Sequence, residues 1–355
     1  MKSLATVLCL FGLTVLLSCQ SNPQKSFEDA VVAHHAAAQP DGAVQLTFEG
    51  DNGEGYFSPD GKKIIFQSKS RPAHKNSQIY ILDLESGKEK RITFNDGDDT
   101  CSYFSPNMKK IIYALTTDEI KEHPQPSPTP APEAASKDGK RKYEWQFKDY
   151  EIYEANPDGS HIKRLTKSPG YDAEGVYSPD GKKILFTSKR SGDLELYTMP
   201  ASGGKATQIT NKPGYDGGAF FSPNGKQIVW RGFHDDKGSA QLYVADAHGK
   251  NIKQLTTKEM AIHWCPFWHP DGKRILFSAN RDDRKKFELY MINSDGTCLK
   301  RLTTNSPGSS VLPVFSPDGK KILFTSSRGS KESERISQLY LMDFNEPKDC
   351  LNETP

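Results

Sequence analysis

The chain has 355 residues, of which 35% are hydrophobic and 26% charged, an ordinary balance for a globular protein. Its formal net charge is +2, too small to point to nucleic acid or to a broadly acidic partner. Length alone suggests about two domains, a prior that the internal repeats override.

The first element is Lys2 followed by an apolar run from Leu4 to Leu17. It is too short and too early for a lasting membrane span and reads as a lipoprotein signal peptide over residues 1–18. The run ends in "LLSC", which resembles a bacterial lipobox with Cys19 as the acylated residue. Ordinary cleavage nearby, leaving Cys19 a plain thiol, is the alternative. Gln20 rather than Asp follows the cysteine, which among lipoproteins favours the outer membrane. The expected address is therefore a periplasm-facing lipoprotein of the bacterial cell envelope, touching the membrane only through its acylated N-terminus. Residues 19–40 read as a flexible tether, in which His34 and His35 are solvated linker residues.

From Asp41 onward the chain repeats itself. "FSPDGKKIIFQSKSR" begins at Phe57, "FSPNMKKIIYALT" at Phe104, "YSPDGKKILFTSKR" at Tyr177, "FSPNGKQIVWRGF" at Phe221, "WHPDGKRILFSANR" at Trp268 and "FSPDGKKILFTSSR" at Phe315. Their prolines, Pro59, Pro106, Pro179, Pro223, Pro270 and Pro317, are spaced by 47, 73, 44, 47 and 47 residues. A Leu-Thr or Ile-Thr pair keeps the same beat at Thr47, Thr93, Thr166, Thr210, Thr256 and Thr303. This period, with short strands, is what a four-stranded propeller blade needs. Apolar residues at helical spacing, the mark of a helical solenoid, are missing.

Each unit reads as four strands. A short first strand ends at the "FS" or "YS", and "SPDG" then reverses the chain, with Pro presetting φ and Gly accepting a positive value. "KKILFTS" has consecutive apolar residues and is buried on both faces. A third strand such as "LELYTM" and a fourth ending in the Leu-Thr pair complete the unit. In the second unit Met108 takes the turn's Gly position, so that turn either differs or carries positive-φ strain. The sixth unit stops after "QLYLMDFN" without a fourth strand, whereas an orphan "DGAVQLT" precedes the first. The expectation is an all-β, six-bladed β-propeller over residues 41–345, with the N-terminal strand closing the last blade and hiding both sheet edges. Residues 346–355 form a C-terminal tail.

The 73-residue gap marks a Pro-rich insertion at residues 119–147 of blade two, expected to be extended. It falls between second and third strands, on the face where the loops enter the innermost strands, so it is placed over the channel mouth. Trp145 and Phe147 serve there either as a grip on a partner or as packing on blade two. Cys101 and Cys265 occupy equivalent positions in opposing blades, too far apart for a disulfide. Cys298 and Cys350 both follow third strands near one face, where geometry permits a bond but does not require one.

Innermost strands line a propeller's channel, and aligning them on the turn gives columns. Six residues before the turn's Ser stand Asn52, Asp99, Asp172, Asp216, His263 and Ser310; two further on come Glu54, Cys101, Glu174, Gly218, Cys265 and Leu312. Trp264 stands between them in blade five. Arg71, Arg190, Arg281 and Arg328 follow the second strands on the same face. Two readings compete. Repeated Asp and Arg pair with one another and tie blade to blade, or Asn52, Glu54, Asp99, Asp172, Glu174, Asp216, His263, Trp264 and Ser310 form a partner-binding channel mouth. Trp268 reads as core. No G-x-S-x-G elbow, H-E-x-x-H helix or Gly-rich phosphate loop is present, so no catalytic residue is assigned. No cofactor or metal site is expected either. The acidic column could hold Ca²⁺, which takes six to eight oxygens, but the spacing supports nothing beyond charge.

The unit "FSPDGKKILFTSxR…LYxMDxDGxxxxxLT" resembles the WD40-like repeat of the TolB propeller family, over Asp41 to Asn345. The resemblance implies a propeller of the Tol-Pal envelope system that binds the peptidoglycan-associated lipoprotein at its channel-mouth face. Family members carry an α/β domain ahead of the propeller, where this chain offers only residues 19–40. The expected function is thus a monomeric, non-catalytic envelope lipoprotein that binds a protein or peptide at the mouth. The alternative is a propeller enzyme, a hydrolase or glycan lyase, with its site in the same place. If Cys19 is acylated, Cys19→Ala should move the protein from the membrane to the soluble fraction; unchanged membrane association in fractionated cells would show that the anchor lies elsewhere.

Overall fold

Six copies of one tight turn set the architecture. In the first, the Ser58 hydroxyl donates to Asp60 at 2.6 Å, and the Lys63 amide donates back to Ser58 Oγ at 2.9 Å. Gly61 closes the turn at φ 72°, a conformation that costs a residue with a Cβ. The same bonds recur at Ser178 and Ser316. Met108 adopts the same geometry at φ 59°, so the strained alternative is the one realised in blade two.

The structure is a computed structural model that describes residues 41–117, 148–235, 238–304, 306–330 and 336–351. The strands flanking the turns form six four-stranded antiparallel sheets. Blade one is β2 (Asp51–Phe57), β3 (Lys63–Lys69), β4 (Gln78–Asp83) and β5 (Glu89–Arg91). Blade two is β6 (Asp99–Phe104), β7 (Ile111–Leu115), β8 (Glu151–Ala155) and β9 (Lys163–Arg164). Blade three is β10 (Asp172–Tyr177), β11 (Lys183–Ser188), β12 (Glu195–Pro200) and β13 (Thr207–Gln208). Blade four is β14 (Tyr215–Phe221), β15 (Gln227–Phe233), β16 (Gln241–Asp246) and β17 (Lys253–Gln254), and blade five is β18 (His263–Trp268), β19 (Arg274–Asp283), β20 (Lys286–Asn293) and β21 (Lys300–Arg301). Blade six takes β22 (Ser310–Phe315), β23 (Lys321–Ser326) and β24 (Gln338–Asp343), and its fourth strand is β1 (Val44–Gln45) from the other end of the chain. The second strands carry the core, as their apolar runs require: Ile64, Ile65 and Phe66 are fully buried, like Ile322, Leu323 and Phe324.

The Leu-Thr marker has a structural cause. In blade three Ile209 N donates to Leu196 O, while Leu196 N donates to Thr210 Oγ1 at 2.8 Å. The fourth strand is thereby clasped to the third although it makes only two ladder pairs. The clasp recurs in all blades, and in blade six Thr47 Oγ1 accepts from Leu339 N at 2.9 Å and donates to Gln338 at 2.7 Å. Blades are stitched to their neighbours at the mouth face: Asp99 N donates to Ser77 O, Asp172 N to Tyr150 O and His263 N to Ala240 O.

The C-terminal tail adds a second fastening. Cys298 and Cys350 form a disulfide with Cα atoms 4.9 Å apart, Leu351 N donates to Leu299 O at 2.7 Å, and Lys300 binds Glu346 at 2.7 Å. Tying a loop of this length restrains the unfolded chain by about 4 kcal/mol in the chain-entropy picture. Cys101 and Cys265 remain free thiols.

The clasp makes a direct forecast. Thr47→Val leaves the buried Leu339 amide without its acceptor and should lower the unfolding free energy by about 1–3 kcal/mol. Thr210→Val in blade three should cost a similar amount. Urea denaturation that found Thr47→Val unchanged while Thr210→Val fell would show that the N-terminal strand does not carry blade six.

Candidate functional site

Every innermost strand is broken at the same place. In blade one Gly53 pairs with Gln67 and Tyr56 with Ile65, so two residues oppose one; the other five blades repeat the shift. The first bulged residue has positive φ in each case: Glu54 52°, Cys101 51°, Glu174 56°, Gly218 60°, Cys265 54° and Leu312 54°. For a residue with a Cβ this region costs on the order of 1–2 kcal/mol. An unbroken strand would put residues two apart on one face. The extra residue cancels that parity, so the two columns identified in the sequence part company.

The first column turns into the fold and is not presented to a partner. Asn52, Asp99, Asp172, Asp216, His263 and Ser310 are each at most 1% exposed. Asn52 donates to Gln338 at 2.7 Å and accepts from Arg71. Asp172 pairs with Arg190 at 2.7 Å, and Asp216 accepts from Trp230 at 2.7 Å and meets His234 at 2.9 Å. Ser310 accepts from Arg328, and Asn95 donates to both oxygens of Asp99. His263 sits between Ala240 O and Arg281, and burial holds its pKa down to about 3, so it is neutral. Burial pushes Asp99 up to about 7. These six side chains engage partners inside the fold, chiefly within their own blades, with only Asn52 to Gln338 and His263 to Ala240 O reaching the neighbouring blade. They do not line the mouth, and the Asp–Arg pairs brace single blades and do not tie blade to blade.

The second column opens into the channel, and with Trp264 it lines a cavity of about 360 Å³. Tyr150, Tyr171 and Tyr215 form part of its wall. Its floor is a plug of rings two residues further along the innermost strands: Tyr56 meets Tyr103 at 5.2 Å and Phe220 at 5.7 Å, and Phe220 meets Phe267 edge-on at 4.9 Å. Such pairs contribute about 0.5–1.5 kcal/mol each beyond burial. Below the plug a second, more apolar cavity of about 420 Å³ is framed by the six turn prolines. The mouth cavity is therefore blind.

One ion pair organises its wall. Arg231 donates through Nη2 to Glu174 at 2.6 Å and to the Tyr215 hydroxyl. Glu174 also accepts from Tyr215, Thr187 and Gly218 N, at 3.1, 2.7 and 2.8 Å. Burial would raise its pKa, but Arg231 and these donors hold it below the ordinary carboxylate range. Glu54 has no such partner. Burial, reinforced by Glu174, pushes it from 4.5 up to about 7, and it accepts from Tyr56 at 3.3 Å. The site thus holds one ionised carboxylate and one carboxyl that titrates near neutral pH. Among the described residues no group of three or more His, Cys, Asp or Glu could hold a metal ion.

Of the sequence-predicted mouth residues, the structure brings Glu54, Glu174 and Trp264 together and leaves the first column out. Arg231 and Tyr215 were not among them. Arg231 was visible as a departure from the repeat, standing where the other second strands have Gln67, Ala114, Thr187, Ser278 and Thr325. The insertion at 119–147, with Trp145 and Phe147, lies outside the described residues from 118 on, as do His34, His35 and Cys19; it leaves between β7 and β8, on the mouth face.

These features define a closed six-bladed β-propeller with a blind, polar and aromatic cavity at one mouth of its channel. Part of the ring is similar to a known propeller family: the family described as the TolB beta propeller domain matches residues 136–259. The Tol-Pal system protein TolB of Bordetella pertussis (strain Tohama I) is 56% identical over 34 residues, 10% of this chain and 8% of that protein. TolB from Acinetobacter baumannii shares the fold with a TM-score of 0.55 at 21% identity, over 84% of this chain and 64% of that one. An oligogalacturonate lyase in complex with manganese gives 0.54 at 16% identity, over 88% and 96%. The family described as the dipeptidyl peptidase IV N-terminal region matches residues 215–331. The chain thus spans less than two thirds of either TolB, and likenesses at these identities establish the fold.

The raised carboxyl can be checked. A folded-state pKa above the unfolded value favours the protonated form, so this contribution to stability is complete below the ordinary carboxylate range and lost as pH rises through about 7. The melting temperature should therefore fall between about pH 5 and about pH 8, and Glu54→Gln should fall less. Equal slopes in wild type and Glu54→Gln would show that Glu54 titrates normally.

Proposed function

We propose that this protein is a non-catalytic propeller of the bacterial cell envelope that binds a protein or peptide partner on its mouth face. The observation that carries the reading is the blind mouth cavity, where left-handed bulges in five blades aim side chains at one point and Arg231 fills the sixth place beside Gly218. A rigid ring of this kind orients a partner segment at little ordering cost. The rim supports it: Phe48, Phe94, Met260 and Ile336 are exposed large apolar residues, and each lies in a loop that the strand order puts on the mouth face. Aromatic and Met side chains of this type are what interface cores favour. The TolB likeness supports a Tol-Pal-like role with the peptidoglycan-associated lipoprotein as candidate partner, and an acylated Cys19 would hold the ring at the outer membrane. The binding residues on this reading are Glu54, Glu174 and Trp264 of the original set, joined by Arg231.

A second reading rests on Glu54. A carboxyl that titrates near neutral pH is suited to general acid–base work, and the lyase shares the fold, so a glycan-cleaving enzyme with its site in the same cavity is the rival.

Crosslinking capture from cell envelopes separates them. Wild type should retain a partner that Phe94→Asp/Met260→Asp captures at least about 10-fold less, the size of a lost interface hot spot. Both substitutions are on exposed side chains, so equal melting of the two proteins is the control. Capture of the same proteins by both forms would remove the binding reading, and turnover of envelope glycans by wild type would establish the enzyme.

A further inference from the structure

Gly218 is the one member of the bulge column without a side chain, and the structure shows why. A Cβ there would overlap Arg231 Nη1. In the other five blades a side chain enters the channel at this point; in blade four the guanidinium of Arg231 comes in from the neighbouring strand instead. Arg231 is 4% exposed and stacks over Tyr215 and Trp264 at 4.9 and 5.7 Å. It makes its hydrogen bonds through Nη2 alone, and Nε is buried without a partner. A charged donor is thus held in the cavity wall with nitrogens left over.

The neighbouring groups have the same polarity. Gln67 accepts from Cys101 N through Oε1 at 3.1 Å, which leaves its amide N–H groups for the cavity. Glu174 has both oxygens occupied by four donors and does not compete for a guest. Buried donors left unmatched are costly, and an acceptor-bearing guest removes that cost. A carboxylate does so best, through charge-assisted bonds to a guanidinium. Because the ring plug closes the floor, a chain end fits where a through-running strand does not.

We propose that the mouth cavity receives the C-terminal carboxylate of a partner polypeptide, anchored by Arg231 with Gln67 as a further donor. This rests on the partner-binding reading above and deepens it. Glu54 lines the same cavity, and in its protonated form it can donate to the guest. It faces Glu174, Arg231, Tyr56 and Cys101, with Cys265 and Tyr150 in the same field.

The test titrates the detergent-solubilised full chain with acetyl-Ala-Ala-Phe bearing a free carboxylate, with the same peptide as its C-terminal amide, and with digalacturonate, following tryptophan fluorescence. The free acid should bind at least about 10-fold more tightly than the amide, the effect of a charged hydrogen bond, and Arg231→Gln should abolish the difference. Wild-type affinity should fall as pH rises through about 7, where Glu54 ionises and repels the guest. Glu54→Gln, which keeps a donor, should bind without that fall. Equal binding of acid and amide overturns the proposal. So does a Glu54→Gln titration with the wild-type pH profile, a comparison that decides the matter even where Arg231→Gln does not fold. Binding of digalacturonate but of neither peptide overturns the peptide terminus in favour of a sugar acid. No binding by any probe, while the rim variant still loses its captured partner, removes this inference and leaves the binding function standing; loss of both removes both.

Discussion

The hydrogen bond from the Leu339 amide to the Thr47 hydroxyl joins residues 292 apart in sequence, and the ring depends on it. A propeller blade whose outer strand makes two ladder pairs has little to hold that strand. The threonine clasp supplies what the short ladder lacks, by satisfying a buried amide and a buried side chain together. Because five blades use the bond locally and the sixth across the whole chain, one small motif both finishes each sheet and closes the circle. The tail beyond β24 is fastened by Cys298 and Cys350 to the blade before, so the last blade is also tied to blade five.

With the ring closed, the bulges decide what the channel displays. They are strained at five non-glycine positions, a cost that the surrounding sheets hold in place. The effect is a division of labour within six residues of strand. The first column becomes internal bracing of each blade, with Asp172 on Arg190 and His263 on Arg281, while the second becomes the surface of the cavity. Arg231 shows how that surface is individualised: one larger residue on a second strand and one missing side chain on the first turn a six-fold repeat into a site with a definite polarity.

The repeat made most of the fold legible. Turn chemistry, apolar second strands and the Leu-Thr beat all pointed to the same blade, and the orphan "DGAVQLT" announced the closure. The site was less legible for a specific reason. Reading Asn52 and Glu54 as neighbours on one face assumes an unbroken strand. Glutamate and cysteine at a left-handed bulge carry no local signature of the kind glycine or asparagine would. Only Gly218 hinted at it. Arg231 was legible in principle, since it interrupts "QIVWRGF", but its meaning depends on which way the second strand's side chains point once the bulge is in place. The disulfide between Cys298 and Cys350 lay within what spacing allows, and it took the course of the tail to bring the two together.

Closure by the first strand also has a consequence for the order of events when the chain is made. The segment around Val44 and Gln45 is synthesised before any blade exists, yet its partners Leu341 and Tyr340 come nearly last. Five blades can form from contacts local to each unit, whereas the sixth waits for a loop almost the length of the chain to close, the kind of distant contact that slows folding. Until then β24 is an uncovered edge able to pair with another molecule, so a truncated or stalled copy of this protein is the form most exposed to aggregation.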